Sequence, residues 1–209
     1  MSEPQLFHRI FVLLFLTLVV LRFYWHFRAK VWSKELAPPE GKVITFLRIF
    51  VALPLFALVT AYMFDPAVLS WSEVPMTAGL RWLGAAVTTL GLCLAAWVHY
   101  HLGLNFSPYL RIRGTHRLVT SGPYRWDRHP MYTAFVTVFV GFLLLTGNLL
   151  IAGMGLATLL IVMVVRTPKE EQMLLDRFGQ EYRDYMGRTG RYLPRLSRRH
   201  SAAAAANGS

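Results

Sequence analysis

Long apolar runs are the feature that most restricts this chain. Four stretches rich in Leu, Val, Phe, Ile and Ala cover residues 6–27, 43–64, 77–102 and 131–166. A helix that crosses a bilayer needs about 20 consecutive apolar residues. Charged residues make up only 16% of the chain, against about 25% in soluble domains. We therefore predict an all-α integral membrane protein.

The last apolar run is too long for one straight crossing at about 1.5 Å per residue. A polar interruption, Thr146-Gly147-Asn148, divides it near the middle. The sequence thus predicts a helical hairpin with legs at 131–146 and 149–166, and about five transmembrane helices in all. Because both legs are short, it stays open whether the hairpin crosses the membrane fully.

The basic residues indicate an orientation. Most of them lie in the connectors 28–42 and 103–130 and after residue 166, whereas the connectors 65–76 and 147–148 contain none. Since basic connectors favour the cytoplasmic side, five spans place the N-terminus outside and the C-terminus in the cytoplasm. The membrane would be the cell inner membrane in a prokaryote. This distribution explains the net charge of +11 without a nucleic-acid partner.

We expect a single domain at residues 1–200. The stretch 201–209, Ser-Ala-Ala-Ala-Ala-Ala-Asn-Gly-Ser, resembles a tail added for expression. Cys93 is the only cysteine, which excludes a disulfide framework and a cysteine-based metal site. His99 and His101 point to different sides of a helix, so we expect no metal there.

A further helix is expected after the last apolar run. Thr167, Pro168 and Glu170 have the spacing of a capping box with proline in the first turn. We predict that a helix starts here and continues to about Met186. Its apolar residues recur at spacings of three and four, which indicates an amphipathic helix.

The strip 116–132 is polar, basic and rich in turns. Gly122-Pro123 is a turn signal, and Pro130 suits the first turn of a helix. The free N–H groups of that helix start, together with Arg128, favour an anion. A second polar cluster lies at 166–171, at the other end of the apolar hairpin. Closure of the hairpin should bring both clusters together as a pocket for a zwitterionic small molecule that a substrate reaches from the lipid.

The second half of the chain, from about residue 103 to 196, resembles the isoprenylcysteine carboxyl methyltransferase family and the related phospholipid methyltransferases. The resemblance rests on the motifs His116-x-Leu118-Val119-x-x-Gly122-Pro123-Tyr124, Arg128-His129-Pro130-x-Tyr132, Arg166-x-x-x-Glu170-Glu171, Phe178-Gly179-x-Glu181-Tyr182-x-x-Tyr185 and Arg191-x-x-Pro194. It implies a membrane methyltransferase that uses S-adenosylmethionine, releases S-adenosylhomocysteine and needs no metal.

The resemblance also implies roles for individual residues. The residues expected to line the adenosine part are His116, Leu118, Val119, Gly122 and Tyr124. Those expected to hold the methionyl part are Arg128, His129, Pro130 and Tyr132. Glu170 or Glu171 would pair with the α-ammonium group. Arg166 would lie near the methyl acceptor, with Glu170 as a second catalytic group, and Asn105 and Ser107 would be on the substrate side.

The sequence leaves the acceptor open. A carboxylate such as that of a prenylated cysteine needs no general base, and Arg166 could orient it. An amine or a thiol would need proton removal, for which a buried Glu could serve. Two other classes stay possible: a sterol-type membrane reductase, which shares an Arg-His-Pro-x-Tyr-like element but uses a nicotinamide cofactor, and a non-enzymatic membrane scaffold. The oligomeric state is open.

Overall fold

The computed structural model describes residues 2–32, 42–103 and 117–195, and the regular elements within these ranges are helices. The α-helices are α1 (Glu3–Trp32), α2 (Lys42–Phe64), α3 (Ala78–Leu102), α4 (Pro130–Thr146), α5 (Leu149–Phe178) and α6 (Gln180–Arg188). Two short 3-10 helices are at Pro66–Ser72 and Gly122–Arg125. The predicted all-α fold is confirmed for these ranges.

Local signals account for the ends of the middle helices. The Thr77 side chain caps α3 by accepting from the Leu80 N–H, and Pro130 is the first residue of α4. Gly147 ends α4 in the left-handed region, at φ 72°. Asn148 then starts α5 by accepting from Ile151 N at 2.9 Å. The predicted hairpin turn is therefore a C-cap glycine followed by an N-cap asparagine.

Three helices of the described residues are long and apolar enough to cross a membrane, at Glu3–Arg28, Ala78–Leu102 and Leu149–Phe178. The pair Leu53–Phe64 and Pro66–Ser72 passes the same test together but is bent by 116°. The helix Pro130–Thr146 is apolar but shorter. An integral membrane protein is supported, while the number of five crossings and the orientation stay predictions.

Phe11 is a central residue of the apolar core. Its ring lies 5.2 Å from that of Tyr62 on α2 and 4.9 Å from that of Phe142 on α4, measured between centroids. All three side chains are buried. Edge-on aromatic pairs at such distances stabilise packing beyond simple burial. These contacts join α1 to α2 and α4.

Small residues bring α3 and α4 into close contact. A Cβ atom added at Gly84 of α3 would overlap backbone atoms of Leu145 and Gly141 on α4. One added at Gly141 would overlap Thr88 of α3. Backbones approach this closely only where side chains are absent, which is how helices pack tightly in lipid.

Gly84→Ala should therefore lower the free energy of unfolding by about 1–3 kcal/mol, the usual cost of overpacking. Gly79→Ala is the matched control on the same helix, because a Cβ at Gly79 meets nothing within 4 Å. Thermal unfolding in detergent micelles measures both variants. Equal melting temperatures for the two would contradict the close α3–α4 contact.

The predicted capping box at Thr167 is wrong. Helix α5 continues through Thr167 and Pro168 to Phe178, and α6 begins only after Gly179, whose φ is +54°. The reason is tertiary packing, because the buried residues Ile151, Gly155, Leu159, Thr167 and Glu171 recur at multiples of four along α5. One continuous buried stripe outweighs a local start signal, and a membrane helix tolerates a proline when its neighbours satisfy the backbone.

Candidate functional site

The two polar clusters meet where α4 begins and α5 leaves its apolar part. Arg128, just before α4, donates from Nε to Glu171 Oε1 of α5 at 3.1 Å. The side chains are 10% and 5% exposed. Glu171 reaches this position because it lies on the buried stripe of α5, one turn after Thr167. The hairpin thus brings residues 43 positions apart in sequence into contact.

Glu171 is surrounded by cationic donors. Besides Arg128, its Oε1 accepts from Arg191 Nε at 3.2 Å and lies 3.3 Å from His129 Nε2. Its Oε2 accepts from Arg191 Nη2. This bidentate pair with Glu171 raises the pKa of Arg191 above its ordinary value. Both carboxylate oxygens of Glu171 are therefore used within the protein.

Glu170 has a different environment although it is the adjacent residue. Its Oε1 accepts from Arg166 Nε at 2.6 Å, one helical turn earlier on α5. Its Oε2 lies 3.6 Å from His129 Nδ1, beyond hydrogen-bond distance. The Glu170 side chain is 26% exposed. The imidazole of His129 therefore lies between two carboxylates, and only Glu170 keeps an oxygen with no hydrogen bond among the described residues.

Three aromatic rings surround this part of the site. The ring centroids of Tyr132 and Tyr192 each lie 5.9 Å from that of His129, and 6.3 Å from each other. The Tyr192 hydroxyl donates to Thr167 Oγ1 at 3.0 Å. Thr167, misread as a helix cap, is thus a buried hydrogen-bond partner inside α5.

The start of α4 carries an anion that belongs to the chain. Asp127 Oδ1 accepts from the backbone N–H of His129 at 2.7 Å, and its Oδ2 accepts from the Thr133 hydroxyl. Burial raises the pKa of the Asp127 carboxyl, while these two hydrogen bonds lower it. The sequence predicted that this helix start favours an anion, and the Asp127 carboxyl accepts from its His129 N–H.

A tyrosine hydrogen bond and a close approach at Gly122 place the turn Gly122–Arg125 against the helices. Tyr185 of α6 donates from its hydroxyl to the Tyr124 carbonyl at 2.6 Å. Burial raises the pKa of Tyr185 above its usual range. Gly122 has a φ of +58°, and a Cβ there would overlap the His101 ring of α3. Positive φ and close approach together explain the glycine.

The structure describes some, but not all, of the other predicted site residues. Leu118 and Val119 are half-buried in the irregular segment before Gly122, and Pro130 is buried at the start of α4. Asn105, Ser107 and His116 lie outside the described residues. Among the described residues, no group of three or more His, Cys, Asp or Glu side chains could hold a metal ion.

Several residues that complete the site were given no role by the sequence. Thr189, Arg191 and Tyr192 follow α6 and reach back to Arg128, Glu171 and Thr167. Only the short motif Arg191-x-x-Pro194 pointed to this segment. Such long-range contacts leave no periodic signal in the sequence.

Comparison with known proteins gives consistent matches. The sequence model of the isoprenylcysteine carboxyl methyltransferase family matches residues 83–176. A protein-S-isoprenylcysteine O-methyltransferase from Mus musculus is 32% identical over 126 residues, which is 59% of this chain but only 44% of the mouse protein. The chain therefore spans less than half of that relative.

Two further matches cover more of the chain. A methanethiol S-methyltransferase from Bradyrhizobium diazoefficiens is 27% identical over 182 residues, covering 80% of this chain and 59% of that protein. The solved structure of a eukaryotic intramembrane Ras methyltransferase, isoprenylcysteine carboxyl methyltransferase, superimposes with a TM-score of 0.59 at 25% identity. That match covers 93% of this chain and 69% of the other.

Proposed function

We propose that this chain is an integral membrane methyltransferase of the isoprenylcysteine carboxyl methyltransferase family, whose sequence model matches residues 83–176, and that it uses S-adenosylmethionine. The acceptor is a lipophilic molecule, with the carboxylate of a prenylated cysteine or a similar lipid as first choice. The observation that carries this proposal is the cluster of Arg128, His129, Glu170 and Glu171 at one end of an apolar hairpin.

The amino-acid end of the methyl donor fits this cluster. Its ammonium group needs a carboxylate that still has an oxygen to offer. Glu171 is bonded on both oxygens by Arg128 and Arg191. Glu170 is partly exposed, and its Oε2 makes no hydrogen bond to the described residues, with His129 Nδ1 at 3.6 Å. We assign the ammonium to Glu170 and give Glu171 the task of holding the surrounding cations.

The adenosine end fits the segment before α4. Leu118 and Val119 are half-buried there and offer apolar surface, and Tyr124 follows in the turn that begins at Gly122. Tyr185 holds this turn through the Tyr124 carbonyl. A base stacks on such apolar and aromatic surface with little loss of hydrogen bonds.

The chemistry asks mainly for positioning. When bound, S-adenosylmethionine supplies a methyl group from a sulfonium whose sulfur keeps the bonding electron pair as a neutral thioether. In-line displacement needs two correctly placed partners. Glu170 holds the Nε of Arg166 at 2.6 Å, and we assign the guanidinium of Arg166 to orienting the acceptor carboxylate. An ionised carboxylate is already a nucleophile, and no residue has to remove a proton.

A thiol or amine acceptor is the second candidate, favoured by the match to a methanethiol S-methyltransferase over 80% of this chain. A thiol must lose its proton before it attacks the methyl group. Glu170 or His129 would accept it, since both side chains lie at the cluster. Both candidates use the same cluster of Arg128, His129, Glu170 and Glu171. We place this cluster on the cytoplasmic side of the membrane.

Methyl transfer from radiolabelled S-adenosylmethionine tests this function and separates the acceptors. The full chain, purified in detergent, is incubated with N-acetyl-S-farnesylcysteine, a fatty acid, phosphatidylethanolamine or an alkyl thiol. We expect a base-labile methyl ester from the first. Methylation of only the thiol or only the amine would assign that group, and not a carboxylate, as the acceptor. Folded protein that binds neither S-adenosylmethionine nor S-adenosylhomocysteine at millimolar concentration would contradict the proposed function.

A further inference from the structure

The segment after α6 is fixed across the site on both sides of Arg191. The Gly190 carbonyl accepts from the Arg128 backbone N–H at 2.9 Å, and Gly190 pairs with Asp127 in an isolated parallel bridge. The Tyr192 carbonyl accepts from the Thr133 hydroxyl at 2.9 Å. Because both neighbours are anchored, the backbone of Arg191 is held beside the start of α4.

Arg128 is already used inside the protein. Its Nε donates to Glu171, and its Nη1 donates to the carbonyls of Met186 and Thr189, at 3.2 and 2.5 Å. Only 10% of its side chain is exposed. Arg128, the arginine of the motif Arg128-His129-Pro130-x-Tyr132, therefore connects α6 and the following segment to α4. It offers little surface to a ligand carboxylate.

Arg191, in contrast to Arg128, is exposed and keeps part of its guanidinium without a hydrogen bond to the described residues. Its side chain is 47% exposed, although Nε and Nη2 are paired with Glu171. Its Nη1 has no hydrogen bond to the described residues. A guanidinium presents donors on more than one edge of a rigid plane. One edge can stay on Glu171 while N–H groups of the outer edge donate to a second carboxylate.

We propose that Arg191 binds the carboxylate of the methyl donor's amino-acid end, with Glu171 holding the guanidinium in place. This assignment rests on the proposed function. It pairs naturally with Glu170 as the partner of the ammonium, because Glu170, His129, Glu171 and Arg191 follow one another in contact. The two charged groups of an amino acid would then be read by two different elements, α5 and the segment after α6.

A comparison of two ligands on two proteins tests the assignment. S-adenosylhomocysteine and its decarboxylated analogue are titrated into the full-length wild type and into Arg191→Gln, in detergent. For the wild type we expect removal of the ligand carboxylate to weaken binding about 10- to 100-fold, the range for a hydrogen bond between charged groups. In Arg191→Gln the two ligands should bind within about threefold of each other, because the partner of the carboxylate is gone.

Matched variants distinguish direct binding of the ligand carboxylate by Arg191 from a role in which Arg191 only supports Glu171. Arg195→Gln is the control, since Arg195 lies on the same segment, is exposed and donates to the carbonyls of Met186 and Gly187; it should keep the wild-type preference. Arg191→Lys should retain part of the wild-type preference for the ligand that carries the carboxylate. Binding of the decarboxylated ligand also shows that Arg191→Gln is folded, and a melting curve supports this independently.

The outcomes are distinguishable. Equal weakening of both ligands in Arg191→Gln, with the carboxylate preference retained, would overturn the assignment and leave Arg191 only as a support for Glu171. Wild-type protein that binds neither S-adenosylhomocysteine nor its analogue would instead remove the proposed function, and this inference with it.

Discussion

Glu170→Gln is expected to weaken S-adenosylhomocysteine binding by about 30-fold or more while leaving the melting temperature close to that of the wild type. Loss of one partner of a close charge pair at a binding interface costs about 2 kcal/mol or more, which is about 30-fold in affinity. Stability should change little because Glu170 is partly exposed and bonds only Arg166 within the described residues.

Isothermal titration of S-adenosylhomocysteine into the detergent-solubilised full chain measures this effect. The control is Glu181→Gln, which removes the same charge from the exposed first turn of α6. Methyl transfer should fall in parallel, because Glu170 also orients Arg166. Wild-type affinity in Glu170→Gln would show that the ammonium pairs elsewhere, with Glu171 as the next candidate.

Glu171→Gln should have the largest effect on the folded state. Glu171 is 5% exposed and compensates Arg128, which is itself 10% exposed. Removing one member of such a pair leaves an uncompensated buried charge and costs about 3–5 kcal/mol. Arg191 loses its partner as well, so the segment after α6 should loosen and ligand binding should be lost together with stability.

Thermal unfolding in detergent, with and without S-adenosylhomocysteine, checks this second result. Arg128→Met alone and the double variant Arg128→Met/Glu171→Gln complete the cycle. The double variant should be less unstable than the sum of the single variants, because each single change already breaks the same network. A wild-type melting temperature for Glu171→Gln would contradict the structural role given to this carboxylate.

The difference between two adjacent glutamates shows where sequence reasoning stops. The motif Arg166-x-x-x-Glu170-Glu171 identifies both as acidic residues at the end of an apolar helix, and nothing local separates them. In the structure Glu171 continues the buried stripe of α5. Glu170 lies on the neighbouring, partly exposed side of the helix, where it accepts from Arg166. Adjacent residues in a helix point about 100° apart around the helix axis. Two neighbouring side chains can therefore lie in very different environments.

Thr167 illustrates the opposite case, in which a local pattern was persuasive and misleading. Threonine, proline and glutamate at capping-box spacing predict a helix start. The side chain is instead fully buried inside α5, and its Oγ1 accepts from Tyr192. The partner lies 25 residues further along the chain, so no window centred on Thr167 could reveal the contact.

By itself, the sequence determined the features that depend on neighbouring residues. These are the apolar helices, the capped turn at Gly147 and Asn148, the proline start of α4 and the presence of two charged clusters around an apolar hairpin. Hydropathy, backbone preferences and helix caps act within a few residues, so a linear pattern records them.

Only the tertiary structure decided which groups in those clusters keep bonding capacity. It showed that Arg128 and Glu171 are bonded within the protein, that Glu170 and Arg191 are the more exposed pair, and that the segment after α6 closes the site. Hydrogen bonds between distant elements set these differences, and their partners are chosen by packing rather than by spacing along the chain.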